Sequence, residues 1–332
     1  MSHVLVIQTA FLGDAVLTTG LLDQLAERFG PVDVVATPAA EPLFLTHPAV
    51  RRTWRYDKRG TDRGIVGLLR LAAQLRSVGY AGAYLPHRSL RTAMLARGAG
   101  IPERIGFTGS PGSWSYTRRI PRPPSGPEAE RLLSLAEPPP GTPARVSLGL
   151  IAEDHEQAVD WLASRGIAPG FVALAPGSIW GTKRWPYYAE LAAALDEPVV
   201  IVGGPEDRPL ADTLAGGKDS VHVAAGALSL RASAALLARA RVLVTNDSAP
   251  LHLATAVGTR VVAVFGPTVP AFGFGPRGAR DRIVEHAGLD CRPCSSHGPQ
   301  VCPLGHHRCM REISVAWVLD AVKEVPDAVR RG

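Results

Sequence analysis

The stretch VLVTNDSAPLHLATAVGTRVVAVFGP (242–267) decides the fold class. It begins with a short apolar run (242–247), continues through helix-forming residues (249–258) and returns to a second apolar run (261–267). Strand, helix and strand in this order predict a βαβ unit with two parallel strands. Polar residues that end the first strand would lie at the carboxyl edge of the sheet, where α/β proteins bind ligands.

The same alternation of short apolar strands and helical segments extends along most of the chain. The predicted strands cover 4–10, 32–38, 83–87, 171–178, 198–204, 220–226, 242–247 and 261–267. The predicted helices cover 14–28, 64–80, 89–99, 153–166, 187–195, 206–215, 229–240 and 249–258. We therefore expect an α/β protein with two Rossmann-like domains and a cleft between them.

A proline-rich stretch, 121–146, interrupts this alternation. Proline cannot donate to a sheet ladder, so the stretch cannot be sheet interior. We interpret it as a connector with at most one short helix, which ends an N-terminal domain over 1–146. A C-terminal domain would follow over 147–332, and its amphipathic last helix, 313–330, could pack back on the N-terminal domain.

The composition is that of a globular protein. Of its 332 residues, 46% are hydrophobic and 20% are charged, which excludes global disorder and a coiled coil. No apolar run reaches the roughly 18 residues of a membrane-spanning helix. The first 22 residues lack a basic start, and Asp14 interrupts their apolar run, so they do not predict a secretory signal. We expect a soluble, cytoplasmic protein.

The net charge of +6 is unevenly distributed. Residues 1–150 contain 18 Lys and Arg against 11 Asp and Glu, whereas residues 151–332 contain 18 against 19. The basic half could meet an anionic partner, or its arginines could simply form a solvated surface. No basic run is interleaved with aromatic residues, so nucleic acid is not an expected partner.

Two loops at predicted strand ends bear on cofactor and phosphate binding. The first, Thr9–Asp14, contains only Gly13 of the G-x-G-x-x-G pattern that a dinucleotide fold needs, which disfavours NAD and FAD. Asp14 could cap its helix or act as a carboxylate at the cleft edge. The second loop, APGSIWGTKRWP (175–186), combines glycines with Ser178, Thr182 and Lys183. It could be a phosphate site or a surface turn.

Acidic and helix-start residues follow two further strands. Glu206 and Asp207 could accept ribose hydroxyls, or they could simply be helix-start acids. The segment 246–252 offers Asp247 and the first amides of a helix, an arrangement suited to an anion. His252 lies one turn into that helix and could reach the same ligand or be a packed core histidine.

All four cysteines lie within 19 residues, at Cys291, Cys294, Cys302 and Cys309. The ligand type fits a four-thiolate structural zinc site, although only one C-x-x-C pair is present. Free or redox-labile thiols and disulfides are the alternatives, and a cytoplasmic location disfavours disulfides. Such a zinc ion would hold an irregular loop in place and take no part in catalysis.

Three segments together resemble glycosyltransferase family 9, the ADP-heptose:lipopolysaccharide heptosyltransferases, which have the GT-B fold. The resemblance runs through most of the chain and is carried by LGD (12–14), PGSIWGTKRWP (176–186) and TNDSAPLHLATAVGTRVVAVFGPT (245–268). The segments 85–107 and 302–309 are more similar to heptosyltransferase II than to heptosyltransferase I. One departure is Ala249, where the family usually has glycine.

The resemblance implies a role for each matching residue. Asp14 would be the general base, and Lys183, with Ser178 and Thr182, would hold the diphosphate. Glu206, or Asp207 after a one-residue slip, would bind the ribose. Asp247 would orient the heptose. Amides at 248–250 would contact the phosphates, and the remaining donor residues would be Ser248, Ala249, Pro250 and His252.

The resemblance further implies inversion by single displacement without a catalytic metal or other cofactor. The acceptor would be the anionic lipopolysaccharide core at the cytoplasmic face of the inner membrane, with peripheral, electrostatic membrane contact. The candidate acceptor-binding residues are Thr9, Gly13, Arg88, Arg91, Arg97, Arg104, Arg118 and Arg119. The alternatives are a GT-B enzyme for another nucleotide sugar or acceptor, and a non-catalytic nucleotide-binding paralogue.

Overall fold

Both halves of the chain form parallel sheets, because the helices and short 3-10 turns between successive strands return the chain to the same end of the sheet. The structure, a computed structural model, describes residues 3–325 and divides the chain into two units, 1–149 and 150–332. Each unit contains one six-stranded sheet in which every pairing is parallel.

The first unit has the strand order β3-β2-β1-β4-β5-β6. Its strands are β1 (Val4–Gln8), β2 (Val32–Ala36), β3 (Val50–Arg55), β4 (Gly82–Leu85), β5 (Glu103–Phe107) and β6 (Arg118–Ile120). Its helices are α1 (Leu12–Leu17), α2 (Thr19–Phe29), α3 (Glu41–Phe44), α4 (Gly64–Val78), α5 (Leu90–Gly98) and α6 (Glu128–Leu133).

The second unit has the strand order β12-β11-β10-β7-β8-β9. Its strands are β7 (Val172–Ala175), β8 (Val199–Ile201), β9 (Val221–Val223), β10 (Val242–Asn246), β11 (Arg260–Phe265) and β12 (Arg282–Glu285). Its helices are α7 (Ala152–Ala163), α8 (Tyr188–Ala194), α9 (Arg208–Ala215), α10 (Leu230–Leu237), α11 (Ala249–Ala256), α12 (Arg308–Arg311) and α13 (Val315–Lys323).

The two sheets share one topology. In each, the first strand of the unit lies between its second and fourth strands, so the winding direction reverses at β1/β4 and at β7/β10. Such a reversal opens a crevice at the carboxyl ends of the two central strands. The predicted α/β class is confirmed, and the fold positions the loops after β1, β4, β7 and β10 for ligand binding.

The single helix expected over 14–28 is two helices. Thr18 separates them, since its Oγ1 donates to the carbonyl oxygen of Asp14 at 2.7 Å and accepts a hydrogen bond from Gln8 Nε2 at 2.7 Å. A threonine that bonds back to the preceding turn bends a helix. Because Gln8 is the last residue of β1, its bond to Thr18 ties the junction of α1 and α2 to the end of that strand.

The proline-rich stretch is more structured than a simple connector. It contains α6 and a 3-10 turn over Ser134–Ala136, and both pack against α2 within the first unit. Glu128, the first residue of α6, is buried and pairs with Arg122 and, at 2.7 Å, with Arg131. The stretch thus contributes charged side chains to the first unit.

Four strands escaped the sequence prediction. Strands β3, β5, β6 and β12 contain arginines or glutamates that break an apolar run. Of these, β3, β6 and β12 are edge strands, which tolerate polar residues. At the other end of the chain, α13 packs against α8, β11 and β12. Residues 326–330 of the predicted last helix lie outside the described residues. Among the described residues, no helix is both long and apolar enough to cross a bilayer.

Candidate active site

The β7/β10 crevice is held in shape by Asn246, a fully buried residue at the end of β10. Its Oδ1 accepts hydrogen bonds from the Trp185 backbone N–H at 3.1 Å and from the Tyr188 hydroxyl at 3.2 Å. Its Nδ2 donates to the carbonyl oxygen of Pro176 at 2.8 Å. One buried amide therefore joins the start and the end of the loop after β7 to the end of β10.

The hydrogen bonds of Asn246 position Lys183 beside Asp247. Lys183 ends a 3-10 turn over Gly181–Lys183, and its Nζ donates to Asp247 Oδ2 at 2.6 Å. The Thr268 hydroxyl, from the loop after β11, donates to the same oxygen at 2.7 Å. Both charged side chains are about 10% exposed. The ion pair is therefore largely shielded from water. Electrostatic interactions are stronger in such a shielded site than in water.

Helix α11 begins beside the ion pair. Ser248 is its N-cap and Ala249 its first residue, with helical backbone that an alanine adopts without strain. The amides of Ser248 and Ala249 belong to the first turn, whose N–H groups lack partners within the helix. Pro250 has no N–H, so the expected phosphate contact from its amide is wrong. The donor surface here consists of two amides at the positive end of a helix.

His252 is buried one turn further along α11 and packs its ring against Phe274, with ring centroids 6.1 Å apart. Burial lowers the pKa of His252 to about 4, with a smaller lowering from Lys183, and the charge of Asp247 opposes the shift. The ring is therefore neutral near pH 7. Among the described residues of this crevice, Lys183 is the cation that contacts Asp247.

The loop after β8 contributes two carboxylates with different orientations. Asp207 folds back onto its own loop, and its Oδ2 accepts from the Gly204 N–H at 3.1 Å. A Cβ at Gly177 would meet the Asp207 carboxylate, so the glycine lets this carboxylate lie close to the loop after β7. Glu206 is exposed in the 3-10 turn over Pro205–Asp207. Glu206 is thus the freer of the two to bind a ligand.

The hydroxyls predicted to bind phosphate are both engaged within the protein. Ser178 Oγ accepts from the Trp180 N–H at 3.2 Å, which leaves its own proton available for donation. Thr182 Oγ1 donates to the carbonyl oxygen of Pro299 at 2.5 Å. Ser178 can still donate to a ligand, whereas Thr182 holds the loop in place.

The β1/β4 crevice of the first unit carries a second group of polar residues. Thr9 Oγ1 and His87 Nδ1, which follow the two central strands, are 3.1 Å apart. Lys58 Nζ donates to the carbonyl oxygen of Thr9. Burial and the charge of Lys58 lower the pKa of His87 to about 4. Burial and the charges of Arg59 and Arg91 lower the pKa of Lys58, which shows that these cations are close together.

Asp14 lies in the first turn of α1, three residues after the N-cap, Phe11. The alternative in which Asp14 is the N-cap itself is therefore wrong. Burial, and then the charge of Glu128, raise the pKa of Asp14 to about 6. Hydrogen bonds from the backbone N–H groups of Phe11 and Asp14 and the charge of Arg122 partly oppose the shift. A carboxylate with this pKa is ionised at neutral pH and is a better base than an exposed one.

The arginines suggested for acceptor binding do not form one group. Arg91 lies near Lys58, and its Nη1 donates to the Tyr56 hydroxyl at 3.2 Å. Arg88 is exposed in the loop after β4.

The other suggested arginines bond elsewhere in the first unit. Arg104 donates to backbone carbonyls, among them that of Ile101 just before β5, and Arg118 pairs with Glu137. Arg119 donates to the Ser113 carbonyl, and Arg97 lies over the Trp114 ring. Lys58 and Arg59 were missed because their neighbours show no motif.

The four cysteines line one cavity of about 220 Å³ together with His306. Each is a free thiol. Burial and the neighbouring thiols raise the pKa of Cys309 to about 11 and raise that of Cys294. Among the described residues, no three Cys, His, Asp or Glu side chains already converge as metal ligands.

Comparison with known proteins gives the family. The sequence profile described as "Glycosyltransferase family 9 (heptosyltransferase)" matches residues 68–303. The chain belongs to glycosyltransferase family 9. It is 31% identical to lipopolysaccharide heptosyltransferase 1 of Pseudomonas aeruginosa, over 88% of this chain and 86% of that protein.

Two further comparisons, one of sequence and one of structure, give similar proteins from Escherichia coli. This family 9 chain is 28% identical to lipopolysaccharide heptosyltransferase 2 of Escherichia coli, over 81% of this chain and 84% of that protein. The structure of E. coli ADP-heptose lipopolysaccharide heptosyltransferase II superposes with a TM-score of 0.79 at 23% identity, covering 97% and 98% of the two chains. That match shows the fold, and the expected GT-B class is confirmed.

The buried ion pair of this family 9 chain gives a testable stability prediction. Lys183→Met leaves the Asp247 carboxylate buried without its cation, which should cost about 3–5 kcal/mol. Asp247→Leu should cost a similar amount, because it leaves the Lys183 ammonium unpaired. The double variant buries no unpaired charge and should be more stable than either single variant. Urea denaturation followed by tryptophan fluorescence measures this. Single-variant losses that simply add in the double variant would contradict the pairing.

Proposed function

We propose that this chain is an inverting heptosyltransferase that uses no metal ion in the transfer step and moves L-glycero-D-manno-heptose from ADP-heptose to the inner core of lipopolysaccharide. The observation that carries the proposal is the Lys183–Asp247 pair beside the first amides of α11, at the switch point of the second sheet. Membership of family 9 supports the reaction class, and the names of the relatives support the donor and the acceptor. The similarity of 302–309 to heptosyltransferase II favours that subtype.

The donor diphosphate fits the β7/β10 crevice. The Lys183 ammonium has three N–H donors, so it can keep its bond to Asp247 and still reach a phosphate oxygen. The amides of Ser248 and Ala249 add helix-terminus donors, and the Ser178 hydroxyl adds another. These groups would stabilise the charge that develops on the departing ADP, which is the chemical contribution a metal ion makes elsewhere.

The remaining donor contacts follow from orientation. Glu206 is exposed past the end of β8 and would accept the two ribose hydroxyls, whereas Asp207 is held by Gly204. Asp247 Oδ2 already accepts from Lys183 and Thr268, so Oδ1 would accept a heptose hydroxyl. Thr182 acts as a positioning residue through its bond to Pro299.

Asp14 would act as the general base in the first unit. Its carboxylate would remove the proton from the acceptor hydroxyl as that oxygen forms a bond to the anomeric carbon and the bond to the ADP oxygen breaks. A single displacement of this kind inverts the anomeric configuration. The raised pKa of Asp14, about 6, suits a base that must be ionised yet accept a proton.

The acceptor would meet the cations grouped beside Thr9. Lys58, Arg59 and Arg91 lie close enough for the two arginines to lower the pKa of the lysine. Clustered cations repel one another, and a phosphorylated or carboxylated sugar would relieve that repulsion. This arrangement favours an anionic acceptor over a neutral one. Another nucleotide sugar and a non-catalytic role are the alternatives. Transfer from ADP-heptose tests the non-catalytic role, and a comparison of ADP with UDP and GDP tests the nucleotide.

Membrane contact at the cytoplasmic face of the inner membrane is supported by the exposed side of α4. Ile65, Val66 and Leu69 are 69%, 73% and 56% exposed on adjacent turns. Arg59 and Arg63 precede them and are exposed as well. Apolar side chains beside cations suit an anionic lipid surface. The contact we propose is therefore partly apolar, which adds to the electrostatic attraction expected from the sequence.

Transfer should depend on pH through Asp14. Because Asp14 must be ionised, kcat/KM should fall as pH drops through about 6. Asp14→Asn should lower kcat by about 10²–10⁴-fold while ADP still binds. Transfer from ADP-heptose measured between pH 5 and 8 tests this. A profile that is flat across pH 6 would contradict the assignment.

The variant Glu128→Gln tests whether the acidic limb of the pH profile belongs to Asp14. It removes the negative charge that raises the pKa of Asp14, so the acidic limb should move to lower pH while the plateau is retained. Glu130→Gln on the same helix makes the same change of charge at an exposed position and should leave the limb in place. Circular dichroism checks that both variants fold. Equal shifts in the two variants would argue against a local effect on Asp14.

Lipid binding should depend on the exposed apolar residues of α4. The variant Ile65→Ser/Leu69→Ser removes two aliphatic side chains, each of which contributes about 1.5–3 kcal/mol on full burial. Binding to phosphatidylglycerol vesicles should weaken at least about tenfold in co-sedimentation. Val159→Ser, which changes an exposed apolar residue of α7, serves as the control. Unchanged binding of the double variant would refute the role of α4.

A further inference from the structure

We propose that Cys291, Cys294, Cys302 and Cys309 form a four-thiolate site for a thiophilic metal ion, zinc or iron, and that this ion fixes the loop that carries Lys183. The metal site stands independently of the proposed function. Its effect on nucleotide binding rests on that function.

The placement of the thiols is the first observation. Every cysteine of the chain lies against the same cavity of about 220 Å³, and none is in a disulfide. The rest of the lining is Pro293, Pro303, Leu304 and His306. Four thiols around one small cavity form the ligand set of a tetrahedral zinc or iron site.

The nearby histidines are engaged elsewhere. His306 Nδ1 accepts a hydrogen bond from the Arg308 backbone N–H at 3.1 Å, which puts the ring proton on Nε2. His307 Nε2 contacts the carbonyl oxygen of Thr182 at 2.8 Å. These bonds favour four sulfur ligands over a mixed set with histidine.

The segment that carries the cysteines has no regular secondary structure to hold it in place. Residues 286–307 contain no helix or strand, and an irregular segment of this length is uncommon inside a compact domain. Two of the cysteines are anchored, since the Cys294 N–H donates to the Pro267 carbonyl at 2.9 Å and Cys309 is buried in α12, just after the segment. Cys302 lies in the part between these anchors.

The thiols do not yet stand at ligand spacing in the described residues, and Cys294 Sγ donates to the Cys291 carbonyl oxygen at 3.5 Å. Metal binding would draw them together. Each thiol would lose its proton to solvent as its sulfur forms a bond to the divalent ion, so four protons leave and the site gains two negative charges. Arg292 lies near enough to act electrostatically on Cys294 and Cys309 and would offset part of this charge.

The same segment holds the loop after β7. Between Cys294 and Cys302, the Pro299 carbonyl accepts from the Thr182 N–H at 3.3 Å. Gln300 Oε1 accepts from the Gly181 N–H at 3.0 Å, and Gln300 Nε2 donates to the Ile179 carbonyl at 2.9 Å. Lys183 is the next residue along the chain. A metal ion that orders 294–302 would therefore order the turn that presents Lys183.

The experiment is metal analysis of the full chain, purified without an affinity tag that binds metal. We expect about one zinc or iron per chain by mass spectrometry, and tetrahedral cobalt–thiolate absorption after exchange with Co²⁺. Cys302→Ser should lose most of the bound metal and the sulfur-to-cobalt absorption. His306→Ala, which changes the same cavity without removing a thiol, should keep both. The element found distinguishes zinc from iron.

Two results would overturn the metal site. One is a wild-type chain that has no stoichiometric metal and gives no cobalt–thiolate absorption. The other is full metal retention in Cys302→Ser and in Cys294→Ser. Circular dichroism of Cys302→Ser and Cys294→Ser checks that any loss of metal in these variants is not a consequence of misfolding.

The consequence for Lys183 has its own readout. Removing the metal with a chelator should weaken ADP binding about tenfold by calorimetry, the usual size of coupling between sites. Equal ADP affinity with and without metal would overturn the coupling. A chain that is purified without metal, takes up no Co²⁺ and still binds ADP would refute the metal site and leave the proposed function intact. Metal-loaded protein that binds no ADP would do the reverse.

Discussion

Lys183 and Asp247 are 64 residues apart in sequence and 2.6 Å apart between Nζ and Oδ2. Their meeting depends on a constraint of parallel sheets, which places the ends of β7 and β10 side by side at the switch point. The buried amide of Asn246 then closes the gap, because it bonds to backbone at both ends of the loop that carries Lys183. Helix α11 begins two residues after Asp247, and the cysteine segment bonds to the turn that ends at Lys183.

The first unit applies the same topology to different chemistry. At its switch point lie Thr9, His87 and a group of cations, and Asp14 stands above β1 on a helix bent at Thr18. The proline-rich stretch supplies Glu128 and Arg122, whose opposing charges act on Asp14. In the second unit the charge at the switch point is balanced by an ion pair, whereas in the first unit the cations are in excess. The excess of cations in the first unit fits the proposed anionic acceptor.

Much of this could be predicted from the sequence, because the decisive features are local. Apolar runs such as 242–247 mark buried strands, and glycine, serine and lysine at 176–186 mark the loop that follows one. The missed features depend on tertiary contacts. Strands such as β3 are too rich in arginine to show an apolar run, and Thr18 breaks a helix through a bond that composition does not reveal. Glu128 belongs to the surroundings of Asp14 only because α6 packs near α1.

The central claim is that the second unit binds an adenosine diphosphate through Lys183 and its neighbours. Thermal unfolding in the presence of ADP, UDP and GDP tests it most directly. A ligand at about 100 times its Kd stabilises by roughly 2.7 kcal/mol, which raises the Tm by several degrees. The account predicts such a rise with ADP, a smaller one with UDP and GDP, and loss of the ADP effect in the Lys183→Met/Asp247→Leu variant. A larger rise with UDP or GDP, or no rise with any of the three, would contradict it.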